Sequence, residues 1–165
     1  MQAMNLELRE IGADEFHLLW PIFNEVVAAG DTYSYAPDTT FEQAQRLWTS
    51  NGARCFVAMI DGACVGGYML RPNQPGLGDH VANAGYMVAP QQRGRGIAGA
   101  MCAHSIECAR EAGFKAMQYN FVVSSNEGAM RLWQKHGFAV VGRVPRAFRH
   151  ARLGLVDVFV MHRDL

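Results

Sequence analysis

The sequence predicts an α/β fold: one domain built on a mixed β-sheet flanked by helices. Three observations carry this. Segments with apolar residues at every second position alternate with segments whose apolar residues recur at three and four. Their order is strand, two helices, two strands joined by a tight turn, strand, helix, strand, helix, strand, strand. And 165 residues, 50% apolar and 18% charged, suit one substantial core over residues 1–165 but are too few for two ordinary enzyme domains.

Each element has a local reason. "LELRE" (6–10) alternates and reads as a first strand, at or near an edge. From Ala13 the pattern lengthens: Phe16, Leu19, Trp20, Phe23, Val26 and Val27 form a helical stripe to about Ala29, with Pro21 marking a kink or a junction of two short helices. "GDTYSYAPDTT" (30–40) is a loop ending in Asp38, Thr39 and Thr40, which offer a cap for a helix with Phe41, Ala44, Leu47 and Trp48 on one face. "RCFVAMI" (54–60) and "ACVGGYML" (63–70) flank Asp61-Gly62, a hairpin signal.

After an excursion at "RPNQPGLGDH" (71–80), "VANAGYMVA" (81–89) is a strand stopped by Pro90. A helix then runs from Gly94 to about Ala112, with Ala98, Met101, Cys102, Ser105, Ala109 and Ala112 inward and Gly113 closing it. Strand 114–123, a short helix over 124–136 ended by Gly137, strand 138–144 and strand 155–163 complete the chain.

Fifteen Lys and Arg balance fifteen Asp and Glu, so no global charge draws the protein to nucleic acid or to an anionic membrane. Cys55, Cys64, Cys102 and Cys108 show no CxxC pair and read as buried thiols, without disulfide or metal. No charged-then-apolar leader opens the chain, and no stretch approaches about 18 uninterrupted apolar residues, so the expected location is cytoplasmic. The basic segment Arg143, Arg146, Arg149, His150 and Arg152 has three open uses: a substrate lip, a subunit contact in a homodimer, or a solvated loop.

The stretch "APQQRGRGIAGAM" (89–101) carries the most chemistry. A helix start exposes unpaired N–H groups that attract anions. Gly94 and Gly96 remove side chains that would hold a phosphate away, and Arg93 and Arg95 add charge-assisted donors. The glycines match Gly-x-Gly-x-x-Gly, but a dinucleotide site is excluded by context. Its first glycine follows the strand directly, with an acid about 20 residues on. Here Pro90-Gln91-Gln92-Arg93 intervene, and "AMQYNFVV" holds no Asp or Glu.

Gln91-x-x-Gly94-x-Gly96 followed by Ile97-Ala98 resembles the signature of the GCN5-related N-acetyltransferases, the GNAT superfamily. Asn126, Ala129, Leu132-Trp133, Lys135 and Gly137-Phe138 resemble its second half, Asn-x-x-Ala-x-x-Leu-Tyr-x-Lys-x-Gly-Phe. The two matches stand in the expected order and cover about residues 81–141. The resemblance implies a GNAT-like acyl-CoA N-acyltransferase fold: a mixed, mostly antiparallel twisted sheet with a central V-shaped splay, flanked by helices. It implies acetyl-CoA, its pyrophosphate wrapped by Gln92, Arg93, Gly94, Arg95, Gly96, Ile97 and Ala98. Met87 and Val88 would pair with the pantetheine arm, at a bulge that opens the splay. Asn126 would bond that arm, with Met130 and Trp133 lining its side.

Acyl transfer from a thioester needs a neutral amine, and only about one part in 10³ of an alkyl amine is neutral at pH 7. "VANAGYMVA" has no acid where many relatives carry a glutamate, which leaves His80, beside Asp79, as a base or else as a solvent-facing histidine. Trp133 stands where many relatives have a tyrosine that protonates the departing thiolate, and indole N–H cannot do so. Tyr119, Tyr86 or water takes that role, or coenzyme A leaves as a thiolate, which its thiol pKa near 8.5 allows. The last is favoured.

Asn83 and Asn120 lie in apolar strands, where each amide must find a partner, in the main chain or in a substrate. A narrower resemblance bears on them. "YNFVVSSNEGAMRLW", "GDTYSY" and "RPNQPGLGDHVANAGYMV" look like the subfamily containing fungal acetyltransferases of azetidine-2-carboxylate and related proline analogues. It implies that Asn120 holds the acceptor, a small polar amine or amino acid. Tyr33 and Tyr35 either wall the substrate slot or pack their loop down. The expected reaction is direct acetyl transfer, with Asn120, His80 and Tyr119 as catalytic candidates and no metal. A protein, peptide or aminoglycoside acceptor, or a non-catalytic acyl-CoA sensor, are the alternatives.

Overall fold

The computed structural model describes residues 4–165. Strand β1 (Leu6–Ile11) leads through a 3-10 turn (Ala13–Leu18) into α1 (Trp20–Ala29). Pro21 lies in the first turn of α1, so it marks a junction of two short helices and not a kink. There its missing N–H removes no hydrogen bond. Helix α2 (Phe41–Thr49) is capped by Thr40, whose hydroxyl accepts from the Gln43 N–H while the Gln43 side chain accepts from the Thr40 N–H. Such reciprocal caps contribute about 1 kcal/mol.

Strands β2 (Arg54–Ile60) and β3 (Ala63–Pro72) form the expected hairpin, with Asp61 and Gly62 both at positive φ. β4 (Val81–Val88), α3 (Ile97–Glu111), β5 (Ala116–Val123), α4 (Glu127–Lys135), β6 (Ala139–His150) and β7 (Gly154–Asp164) follow. The seven strands form one sheet in the order β1-β2-β3-β4-β5-β7-β6. Every neighbouring pair is antiparallel except β4 and β5.

Two cores cover the two faces. On one, Phe16, Leu19, Phe23 and Trp48 of the N-terminal helices pack on Val57, Met69 and Met87. On the other, Ile97, Met101, Cys102, Ile106 and Trp133 of α3 and α4 pack on Tyr68, Tyr86, Tyr119 and Met161. Burying each large apolar side chain contributes about 1.5–3 kcal/mol. The inward stripe of α3 differs slightly from the expected one: Ile97, Ile106 and Cys108 are buried, whereas Ala98 is half-buried and Ala112 exposed. Cys64 is likewise half-buried, unlike the other three thiols.

The sheet divides at β4 and β5. Only Val81↔Ala116 and Ala82↔Met117 are in register, after which the strands part. This is the expected V, reached without the expected bulge at Met87–Val88. β4 stays in unbroken register with β3 from Gly66↔Val88 to Pro72↔Ala82. β3 approaches so closely that a Cβ on Gly66 would lie 2.7 Å from the Met87 carbonyl oxygen. The irregularity lies in β5, whose register against β7 shifts between Tyr119 and Val122, so β5 is the strand that bends.

The basic segment is strand as far as His150, with Arg152 in the turn that follows. β6 continues to His150, because a register shift between Val144 and Phe148 takes Pro145 and Arg146 out of the ladder on this edge strand. Asp157 anchors the shift by accepting from the Arg146 N–H at 2.8 Å and from the Arg143 guanidinium.

Candidate active site

The start of α3 is a row of main-chain donors. Gly96 caps the helix at φ 81°, and Gly94 has φ 78°. Among the described residues, the N–H groups from Gly94 through Gly99 have no main-chain acceptor, and no side chain caps them. A Cβ at either glycine would meet no atom within 4 Å, so the space beside these donors is open. Arg93 and Arg95 are exposed. The Arg95 guanidinium donates to the Gln92 side-chain oxygen, which aims it across the same loop. A site made only of donors and cations fits a diphosphate, as the sequence expectation of coenzyme A requires.

This row opens directly onto the splayed strands. The Asn73 N–H donates to the Val81 carbonyl and the Ala89 N–H to the Val65 carbonyl, each at 2.8 Å. Odd-numbered residues of β4 therefore bond to β3, and the main-chain groups of Ala84, Tyr86 and Val88 face β5. Val88 thus presents free main-chain groups to the gap. Met87 does not: its main chain faces β3 and its side chain is buried in the α1–α2 core, which corrects its assignment to the pantetheine arm.

Asn83 stands at the apex of the V. Its side-chain N–H donates at 3.0 Å to the Gln118 carbonyl, the first β5 acceptor beyond the last register pair. This is the main-chain use of Asn83, and it closes the bottom of the gap. Asn120 is exposed; its side chain accepts from Gln118 at 2.9 Å and donates to the Asn73 side chain at 2.6 Å.

From Asn73 two adjoining grooves, of about 430 and 540 Å³, run along β3 toward α2 and share Asn51 and Arg71. Arg71 is half-buried, lies opposite Asn83 in the ladder, and makes no ion pair among the described residues. Arg46 lines the larger groove with it.

The loop tyrosines are both engaged. The Tyr33 hydroxyl donates to the Tyr86 carbonyl at 2.6 Å, covering a slot-facing acceptor. Burial holds its phenol well above the usual range. Tyr35 stacks on Tyr33 with centroids 5.6 Å apart, and its hydroxyl accepts from the Trp48 indole N–H at 3.1 Å. They pack the loop down, and Tyr35 also lines the larger groove.

Two catalytic candidates are misplaced for proton transfer. His80 is exposed and precedes Val81, at the closed end of the V. Five residues of strand, about 17 Å, separate that end from Tyr86, beyond the reach of an imidazole. Tyr119 lies inside the α3-side core, its hydroxyl 2.8 Å from that of Tyr86, which is 2.6 Å from the Ser105 hydroxyl. Ser105 in turn donates to the Cys102 carbonyl. Burial raises the Tyr119 phenol well above its ordinary value, so it holds its proton. Tyr86 is held in the same way.

On α4, Asn126 uses its side-chain oxygen to cap the helix, accepting from the Ala129 N–H at 3.4 Å. The amide NH2 makes no hydrogen bond among the described residues. Trp133 packs 4.9 Å from the Tyr86 ring and 5.2 Å from Tyr119, with half-buried Met130 beside it.

Two of the four thiols are held protonated. Burial pushes Cys102 up to about 11 and Cys55 to about 12. The sequence reading passed over His104, whose ring lies 3.6 Å from the Cys108 sulfur. That ring is bonded to the Tyr68 hydroxyl at 2.6 Å, and burial lowers its pKa, so it pairs with the phenol as a neutral imidazole.

One residue escaped the sequence reading altogether. Asp31 follows Gly30, the left-handed cap of α1, and among the described residues its Oδ1 is the one buried side-chain oxygen or nitrogen without a hydrogen-bond partner. The signal was present: an acid at a helix C-terminus faces the negative end of the dipole.

Known proteins share this geometry. Residues 14–138 match the model of the Acetyltransferase (GNAT) family. The GCN5-related N-acetyltransferase from Kribbella flavida is 45% identical, with a TM-score of 0.92 over 97% of this chain and 98% of that one. A GNAT superfamily phosphinothricin acetyltransferase from Sinorhizobium meliloti, solved in complex with AcCoA, shares the fold at 23% identity and a TM-score of 0.85, over 98% of this chain and 89% of its own. Among curated proteins, N-acetyltransferase aca1 of Schizosaccharomyces pombe is 31% identical over 97 residues, 58% of this chain and 46% of aca1. The chain therefore spans less than half the length of that relative. No helix of the described residues is long and apolar enough to cross a membrane. A matched family model over most of the chain, a shared fold and a donor-lined helix start beside a splayed strand pair together establish that the chain belongs to the GNAT family of acetyltransferases.

Proposed function

We propose that this chain transfers the acetyl group of acetyl-CoA to the amino group of a small amine or amino acid by direct attack. The observation that carries the reading is the donor row at Gly94–Gly99 opening onto strands that part after two register pairs. When bound, acetyl-CoA supplies the activated thioester; the rest falls to the chain. The N–H groups at the start of α3, Ile97 and Ala98 among them, hold the diphosphate with Arg93 and Arg95. Val88 pairs with the pantetheine arm through its main chain, the Asn126 amide reaches that arm, and Met130 and Trp133 wall it. The Tyr86 N–H, which faces the gap, supports the developing oxyanion. High thiol pKa values at Cys55 and Cys102 favour direct transfer over an acyl-cysteine route.

The acceptor reading rests on the groove. The resemblance to acetyltransferases of proline analogues and the Asn120–Asn73 bond point to an amine held at Asn120. Arg71 and Arg46 favour an acceptor bearing a carboxylate and oppose a polycation such as an aminoglycoside.

The test is thiol release from acetyl-CoA across paired acceptors: amino acids, the corresponding amides, and the decarboxylated amines. Amino acids are expected to react best. Arg71→Gln is expected to raise their KM about tenfold while leaving that of the amides within twofold. Equal effects on both would remove Arg71 as the carboxylate contact. Tight carrier binding without release for any amine would favour the sensor.

A further inference from the structure

Strand β5 bends by carrying one residue more than β7. Tyr119 pairs with Met161 and Val122 with Phe159, so three steps along β5 match two along β7. Asn120 and Phe121 together stand opposite Val160. A bulge of this kind re-aims side chains, and both of these are exposed. Their neighbours fix which face they share. Tyr119 and Val122, on either side of the pair, are buried in the core under α3 and α4. Asn120 reaches over the other face to Asn73, and Phe121 lies edge-on to Phe148, with ring centroids 6.1 Å apart.

That face is the acceptor's. Ile97 at the start of α3, with Met130 and Trp133 of α4, belongs to the other side, where the carrier is held. Arg71, two residues on from Met69 of the α1–α2 core, faces the same way as Asn120. The α1–α2 core takes in no residue of β5, β6 or β7. Beyond it Val123, Phe148 and Val158, with half-buried Val156, form a small cluster of their own, and Val160 continues the row along β7. On the far side the α1–α2 loop crosses to the turn joining β6 and β7, where the Gly30 carbonyl accepts from the Ala151 N–H at 2.9 Å. Phe121 stands at the margin of the valine row, 39% exposed. A lone exposed phenylalanine is ordinary. One re-aimed by a bulge, next to the amide of Asn120 and beside a row of valines, is a wall for something apolar.

We propose that Phe121 sets the choice of acceptor, packing against the carbon side chain of an apolar amino acid whose amine is held at Asn120. This rests on the acetyltransferase reading above and narrows it, from any small amine or amino acid to amino acids with an apolar side chain. An amino acid carries amine, carboxylate and side chain on one carbon, and Asn120, Arg71 and Phe121 offer one contact for each. A polar side chain placed against Phe121 and the valines loses its water and finds no partner there. Glycine leaves the same surface wet and gains nothing from it.

The test is thiol release from acetyl-CoA with glycine, alanine, 2-aminobutyrate and norvaline, and with serine as the polar counterpart. In the wild type kcat/KM is expected to rise about threefold per added carbon, so that norvaline exceeds glycine at least tenfold and serine falls below 2-aminobutyrate. Phe121→Ala is expected to lower the norvaline-to-glycine ratio at least threefold, with glycine and acetyl-CoA affinity each within twofold of wild type. Phe121→Gln still covers Phe148 and is expected to lower the ratio in the same way, whereas Phe121→Leu keeps it. The ratio is taken within one preparation, so a partly folded variant does not alter it. A smaller fall in both Phe121→Ala and Phe121→Gln overturns the inference, as does a wild-type ratio below tenfold or release with alkyl amines and no amino acid. A wild-type protein that binds acetyl-CoA and releases no thiol with any amine overturns the transferase reading itself, and the role of Phe121 with it.

Discussion

Gly96→Val is expected to weaken acetyl-CoA binding a hundredfold or more, with Gly96→Ala losing about tenfold. Two effects are superposed. At φ 81° a β-branched residue is strained by about 1–3 kcal/mol, which for a domain of this size lowers Tm by about 2–12 °C. The second effect is local: the new methyl groups enter the open space beside the N–H groups that would hold the diphosphate. Gly113 separates the two. It has φ 87° and equally open surroundings, but closes the far end of α3. Gly113→Val is therefore expected to show a similar loss of Tm with carrier affinity unchanged. Calorimetric titration with acetyl-CoA, paired with melts of the free proteins, makes the comparison. Equal affinity losses in both variants would mean that strain alone is at work and that the phosphates bind elsewhere.

The parts of this molecule that were legible in sequence are those set by local chemistry. Pro21, the Thr40 cap, Asp61-Gly62 and the Gly113 stop each act within a few residues, and the helices and strands fall where their periodicity puts them. The donor row at the start of α3 was legible for the same reason, because a helix start is built from consecutive residues. What escaped depends on partners distant in the chain. β6 runs past Pro145 because β7 tolerates a register shift there. Met87 was assigned to the carrier, with Val88, by resemblance; which neighbour a strand's odd residues face is set by the β3 ladder. His80 stands just before β4 and Tyr86 six residues on within it, and only the closed end of the V shows that this spacing is too long. Asp31 read as an ordinary loop acid, since its isolation is a property of packing; its place behind a helix cap was the one local hint.

Trp133→Ala is expected to be the most destabilising single change considered for this chain. The indole is 8% exposed and wedged against Tyr86 and Tyr119, which fill the gap on the α3 side where β4 and β5 part. Truncation removes that wedge and leaves a cavity under α4, at a cost of about 3–5 kcal/mol. Tm is expected to fall by about 6–20 °C. Trp133→Tyr divides packing from chemistry. It keeps an aromatic ring in the wall and restores the phenol that the GNAT pattern carries at this position. If coenzyme A leaves as a thiolate, no acid is needed and kcat for a good acceptor at pH 7 stays within threefold of wild type. A thiol of pKa near 8.5 makes that departure inexpensive. A rise of tenfold or more in the tyrosine variant would show instead that protonation of sulfur limits turnover and that tryptophan holds the enzyme back. Stopped-flow thiol release, measured beside the melts, reads both quantities on the same protein.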